Sequence, residues 1–529
     1  MNRKQKLNKY LNARYPQRAE YIIMILISLL LASFYLYSDI ADTAAQGIKF
    51  WDCLTDGTLP LFYSKRYTGV EGTVLPRSGN GGYDFAIYII FALYNFPLWI
   101  WEKLSGHSFV EFIWSKEYIK GVVWIFVGIC SYILYKLAKQ CGIEDEEAKW
   151  CPFLFMSSAI FFHAEVLMGG YDVISLAFTL LGIYSYLRGN NKGFVLSFAV
   201  AAAMKYFALW LFVPLLLLKE KRIWRIIVYG IESISVVVIP KVLFIISSYI
   251  YTQRQAANSR MQTQVIDSAV QDLAAAGDAA VAVSTVQSAA NGIISHGESI
   301  VDAVLFPDSE VASHTLLYMP ETSLVLIGMF MIWLWCYLYK KQLSAQKLIY
   351  LCAVTMGVFA LTVRQHPQWC VLLVPYMVLI IMFHPERMKE NLILEGVYSI
   401  GKVLNIAILY AFTCNMNLIE NLTAPQYRFY DGDPGALTRA YGLSYYMLVA
   451  SDLTGIAAVH ISYVFKAAAA AGLIFFLIWN YPGRNRDDSV TERGDIDFAQ
   501  RRKWVYTRLA ISCAWGAVPF VGFLVYVTR

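Results

Sequence analysis

The chain has 529 residues, of which 58% are hydrophobic, 15% aromatic and only 16% charged. A water-soluble fold of this length carries more charge on its surface, so the composition excludes the soluble enzyme classes and points to a polytopic helical membrane protein. The formal net charge of +6 is not a nucleic-acid footprint, because most basic residues stand at the ends of apolar runs, where they set orientation in a bilayer.

The amino-terminal 1–19 is a basic tail (Arg3, Lys4, Lys6, Lys9, Arg14, Arg18), expected in the cytoplasm and followed by no cleavage pattern. A first span is expected near 20–37, then a first outer loop over 38–117. Within it, 84–104 is apolar enough to cross, yet the charge rule and its Asn95-Phe96-Pro97 interruption favour a helix lying at the outer interface. Spans near 118–138 and 149–165 flank the charged turn "KLAKQCGIEDEEAK". The chain surfaces at "HAEVLMGGYD", returns through 172–187, and continues as a short pair near 193–205 and 206–218. A span over 223–250 leads into 252–320, rich in Ala, Ser, Val and Gln, read as a long outer loop. The carboxy-terminal region 322–529 adds spans near 322–339, 346–362, 369–383, 393–413, 455–479 and 506–527. The expected fold is all-α, with about thirteen transmembrane helices. Nine cysteines without CxxC or zinc spacing read as small buried hydrophobes.

Ionisable groups near a bilayer are costly, so each invites a functional reading beside a structural one. Asp39 and Asp42 stand just past the first span, three apart and on one face if the helix continues. Such a carboxylate can act as a general base on a hydroxyl, or merely solvate a helix end. A second group is His163, Glu165, Tyr171 and Asp172 in "FFHAEVLMGGYDVIS", where Asp172 could instead cap the following helix. Lys205 in "AAAMKYFALWLFVP" reads as a lone cation that wants an anion, or as a snorkelling lysine. Arg364 and His366 in "LTVRQHPQW" suit a phosphate, or anchor the chain beside Trp369. His163, Glu165 and His366 could together hold a divalent metal, but no H-E-x-x-H-type spacing supports it, and no cofactor is implied. All four groups fall on one membrane face in the same parse.

This order of acids and cations resembles the GT-C superfamily of integral-membrane glycosyltransferases. The stretch "SDIADTAAQGIKFWDCLTDGTLPLFYS" is similar to their acid-bearing first outer loop, and "GGYD" to the "GQ-x-D" turn of many bacterial members. The resemblance covers most of 20–250, with "RQHPQW" as a weaker match, and departs where Tyr171 replaces a usual glutamine. It implies a seven-span amino-terminal module with outer-face interfacial helices. It further implies a polyprenyl-phosphate-linked sugar donor and a cell-envelope glycan or lipid acceptor, with inversion at the sugar carbon. On that reading Asp39 is the base, supported by Asp42, and Lys205 and Arg364 neutralise the leaving phosphate. Tyr171, Asp172, His163, Glu165 and His366 line the substrate site, and nucleic acid has no part. No phosphate-binding glycine loop stands on a cytoplasmic segment, consistent with a lipid-linked donor. The rival readings are a flippase or transporter of lipid-linked glycans, and a polymerase of them. No inverted repeat or matched pair of broken helices favours transport.

Overall fold

A computed structural model describes residues 13–33, 35–36, 38–65, 67, 83–112, 114–270, 320–363, 367–409, 415–416, 455, 458–483 and 498–527. Apolar runs become helices throughout. In order, α1 is Arg18–Ser33, α2 Ser38–Thr55, α3 Phe85–Ser105, α4 Ser115–Gln140 and α5 Trp150–Met156. After a π-helical turn at Phe162–Leu167 come α6 (Asp172–Leu187), α7 (Asn191–Met204), α8 (Ala208–Lys219) and α9 (Ile223–Val270). The carboxy-terminal half holds α10 (Pro320–Leu338), α11 (Ala345–Thr362), α12 (Val374–Phe383), α13 (Met388–Leu409), α14 (Ala458–Trp479) and α15 (Phe498–Val527). Among the described residues, one antiparallel pairing, Tyr35–Leu36 (β1) with Asn415–Met416 (β2), accompanies the helices.

The span count corrects the sequence expectation. Among the described residues, five helices are long and apolar enough to cross a membrane: Phe85–Ser105, Ser115–Gln140, Ile223–Gln255, Ala345–Thr362 and His460–Trp479. Counting each of two bent pairs as one span, Asp145–Met156 with Ala159–Leu167 and Gln368–Phe383 with Pro385–Ile406, gives up to seven. The expected thirteen or so, and the seven-span amino-terminal module, do not stand. The reason is where the backbone breaks. Helices α6, α7 and α8 have 16, 14 and 12 residues. At 1.5 Å per residue such helices fall short of a hydrocarbon core of about 30 Å. Apolar composition runs on through these breaks, so hydropathy alone counts more spans than the helices supply. Several long apolar helices nonetheless make this a multi-pass membrane protein.

Two further details differ from expectation. α3 is continuous through Pro97, so the segment expected to lie at the interface is among the five helices able to cross. α9 stays helical to Val270, into the region read as an outer loop; 271–319 lies outside the described residues.

Close approaches set the geometry around α2. Gly47 lies against the backbone of α3, where a Cβ would sit 2.7 Å from the Phe91 carbonyl carbon. Gly170 is pressed on the turn Pro367–Leu373, where a Cβ would sit 2.6 Å from Gln368 Cβ. A side chain at either glycine would push these elements apart. The last helix is clasped to elements of both halves of the chain by ion pairs. Arg502 meets Glu20 at 3.1 Å, Arg508 meets Glu395 at 2.8 Å, and Arg501 meets Glu147.

Candidate functional site

α2 begins two residues after β1, so Asp39 and Asp42 fall on consecutive turns of one helix face. The helix N-terminus favours the negative charge of Asp39, which lies in its first turn. Asp39 Oδ1 accepts a hydrogen bond of 2.9 Å from the Tyr83 hydroxyl. Asp42 is half-buried, and its Oδ1 has no hydrogen-bond partner. Burial, with the nearby charge of Asp39 second, pushes the Asp42 carboxyl up to about 7, against the pull of Lys49. Lys49, two turns further on, is buried over the Phe62 ring at 4.4 Å and donates to the Lys65 carbonyl at 3.0 Å. Burial lowers its ammonium to about 8.

Lys205 occupies the break between α7 and α8, in extended backbone (φ −155°, ψ 132°). Helix α6 holds that junction, because the Ser175 hydroxyl donates to the Ala201 carbonyl at 2.9 Å. The lysine is not the lone cation expected. Its ammonium lies 3.6 Å from Asp172 Oδ1 and over the faces of Tyr83 at 4.0 Å and Tyr171 at 5.0 Å. The two tyrosine rings meet edge to face, their centroids 5.8 Å apart. Lys205 is 8% exposed and Asp172 1%. A partner carboxylate and two π-faces replace part of the hydration such a charge loses. Asp172 is the first residue of α6, and Tyr171 holds its cap position.

The assembly therefore joins Asp39 through Tyr83 to Lys205 and Asp172, with Tyr171 as the second wall. Glu165 is buried on the π-helical turn, and neither of its oxygens is hydrogen-bonded. His163 turns the other way: its Nδ1 accepts from Trp515 Nε1 of α15 at 3.4 Å. Among the described residues no three His, Cys, Asp or Glu groups converge as metal ligands. Arg364 and His366 lie outside the described residues. The turn that follows them packs on Gly170, and its Trp369 meets Phe207 of the Lys205 junction at 4.5 Å between centroids.

Tyr83 was missed in the sequence, although a signal for it exists. The tetrapeptide Gly-Gly-Tyr-Asp occurs twice, ending at Asp84 and at Asp172, each time where a helix starts. Its two tyrosines are the two walls around Lys205.

No family model matches the chain. A stretch of 96 residues is 32% identical to a protein of Mycolicibacterium smegmatis (strain ATCC 700084 / mc(2)155) named "Probable alpha-(1->6)-mannopyranosyltransferase". That stretch covers 16% of this chain and spans only 17% of the relative's length. The crystal structure of ArnT from Cupriavidus metallidurans in the apo state superposes with a TM-score of 0.39 at 11% identity, covering 95% of this chain and 77% of that one.

Proposed function

We propose that this protein is an inverting membrane glycosyltransferase that moves a sugar from a polyprenyl-phosphate-linked donor to a cell-envelope glycan or lipid acceptor on the outer face. The observation that carries the reading is the link from Asp39 through Tyr83 to Lys205. It joins acids one turn apart on α2 to a buried cation more than a hundred residues away, as a base and a leaving-group electrophile require. The short similarity to a protein named as a mannopyranosyltransferase supports sugar transfer.

In this mechanism a carboxylate of α2 removes the proton of the acceptor hydroxyl. The acceptor oxygen forms its bond to the anomeric carbon from the face opposite the phosphate. The carbon–oxygen bond to phosphate breaks, its electron pair leaves with the polyprenyl phosphate, and the proton stays on the carboxyl. Asp42 is the better base of the two. Its free oxygen and a carboxyl near 7 suit proton abstraction at neutral pH, while Asp39 is occupied by Tyr83. This reverses the roles that position along the chain suggested. Lys205, fixed by Asp172 and two tyrosine faces, presents a preorganised positive charge to the leaving phosphate. Arg364 supplies a planar fork for the same group, and His366 stands beside it in the sequence. Glu165 and His163 stand behind this front, on the turn that positions Asp172.

The test compares envelope glycans by mass spectrometry in cells with the wild-type protein, without it, and with Asp42→Asn. Loss of one glycosyl residue in the last two is expected. An unchanged profile without the protein overturns the reading.

A further inference from the structure

The Gly-Gly-Tyr-Asp that ends at Asp84 also builds a lysine pair, and this one is less deeply buried. Asp84, the cap residue of α3, lies 2.8 Å from the ammonium of Lys241 on α9. Lys241 donates a hydrogen bond of 2.6 Å to the Tyr206 hydroxyl. The two Asp–Lys pairs are thus coupled through neighbours in sequence. Tyr83 touches Lys205 while Asp84 touches Lys241, and Lys205 itself is followed by Tyr206. They differ in access. The Asp172–Lys205 side chains are 1% and 8% exposed, against 8% and 20% for Asp84 and Lys241.

The carrier helix explains that difference. Little of the apolar stretch of α9 is buried in the protein, and Ile239, Val242, Leu243 and Ile246 around Lys241 are all exposed. In a bilayer those side chains meet acyl chains. Ser233, Val237 and Phe244 point inward with Lys241, and Phe244 packs on Phe85 at 4.4 Å between centroids. Lys241 is therefore a cation at the seam between a lipid-covered helix and the site. A lysine there is costly unless it is paired. A purely structural pair would be as well served deeper in the protein, away from the lipid-facing seam.

We infer that the Lys241–Asp84 pair is an exchangeable landing site where the phosphate of a polyprenyl-phosphate-linked substrate, arriving laterally along α9, displaces Asp84 from Lys241. This rests on the proposed function and deepens it. Asp84 holds the ammonium in place when no lipid is bound and competes with the phosphate when one is. Tyr206, which holds Lys241 by its hydroxyl, follows Lys205 directly in the chain, so the outer pair is tied to the segment that carries the inner one.

The two partners of the pair are then expected to act in opposite directions, which a structural ion pair does not do. The purified full chain in phosphatidylcholine nanodiscs is titrated with a long-chain polyprenyl monophosphate. Lys241→Gln should weaken binding about tenfold, the worth of one charge-assisted hydrogen bond. Asp84→Asn should tighten it, and Lys241→Arg should stay close to wild type. Equal weakening by Lys241→Gln and Asp84→Asn, or no change in either, overturns the inference while wild-type binding and transfer leave the proposed function standing. Failure of the wild type to bind polyprenyl monophosphate overturns both. Where a variant does not fold, the wild-type chain still decides. The lipid should slow acetylation of Lys241 about tenfold and leave exposed Lys103 unaffected, and equal rates at both overturn the inference.

Discussion

Two regions of this molecule bury several charges, and they balance them differently. In the clasp of α15, each carboxylate has its own arginine: Glu20 with Arg502, Glu147 with Arg501, and Glu395 with Arg508. Neutral donors complete the shell, as where Ser158 and Ser399 both donate to Glu395. Around α2 and the Lys205 junction the acids are in excess. Asp39 is bonded by a tyrosine rather than a cation, and Asp42 keeps an oxygen without a partner. Asp172 has Lys205, while Glu165 behind it has no hydrogen-bond donor. A one-to-one arrangement holds a fold together, whereas surplus carboxylate costs stability unless it has a task.

If that contrast is right, the largest effect belongs to the surplus acids. Asp42→Asn should leave the chain folded and reduce sugar transfer about 10²–10⁴-fold, the usual worth of a general base. Asp39→Asn should lose less, since its amide oxygen still accepts from the Tyr83 hydroxyl and only the charge is removed. Near-normal transfer by both variants, assayed with purified protein, would place these acids with the structural charges.

The clasp should respond in stability instead. Arg508→Ala leaves Glu395 buried without its cation and should cost about 3–5 kcal/mol in thermal or denaturant unfolding. Arg508→Met combined with Glu395→Leu should recover most of that loss, because both charges are then gone. Transfer per folded molecule should stay close to wild type in the double variant. A catalytic defect in it would blur the distinction.

The pH profile gives a smaller but sharper reading. Asp42 works as a base only when deprotonated, and burial holds its carboxyl near 7. Plotted as kcat/KM, transfer should therefore rise with pH through about 7 and level off above it. A limb near the ordinary carboxylate range, about 4, would give the base to a less perturbed acid.

The last test carries no energetic effect. Single cysteines at Ser105, the last residue of α3, and at Ser108 just past it are exposed to an impermeant thiol reagent in intact cells. Labelling there together with labelling at the start of α2 would keep the whole of α2–α3 on one membrane side. Labelling only after permeabilisation would show that α3 crosses and separates its far end from the acids.

Part of the candidate site was legible in the sequence because each acid and lysine stands in or beside an apolar run, where an ionisable group stands out against its neighbours. Asp39, Asp42, Asp172 and Lys205 were found that way. Tyr83 and Lys241 were not. An aromatic residue in a membrane protein is unremarked, and Lys241 falls inside a strongly apolar helix beside Pro240, where it reads as a stray charge. Only the repeated Gly-Gly-Tyr-Asp hinted that 83–84 and 171–172 play parallel parts.

The sequence by itself determined the solvent this protein lives in, the helical character of nearly every element and which charges are unusual, because hydropathy and helical periodicity are local properties. It overcounted the spans, because hydropathy does not register the breaks at the π-helical turn and at Lys205. Tertiary structure alone decided which charge meets which. Pairing Lys205 with Asp172 and Lys241 with Asp84 depends on how helices far apart in the chain cross. Those crossings are set by close contacts such as Gly47 on Phe91 and Gly170 on Gln368, which no local pattern encodes.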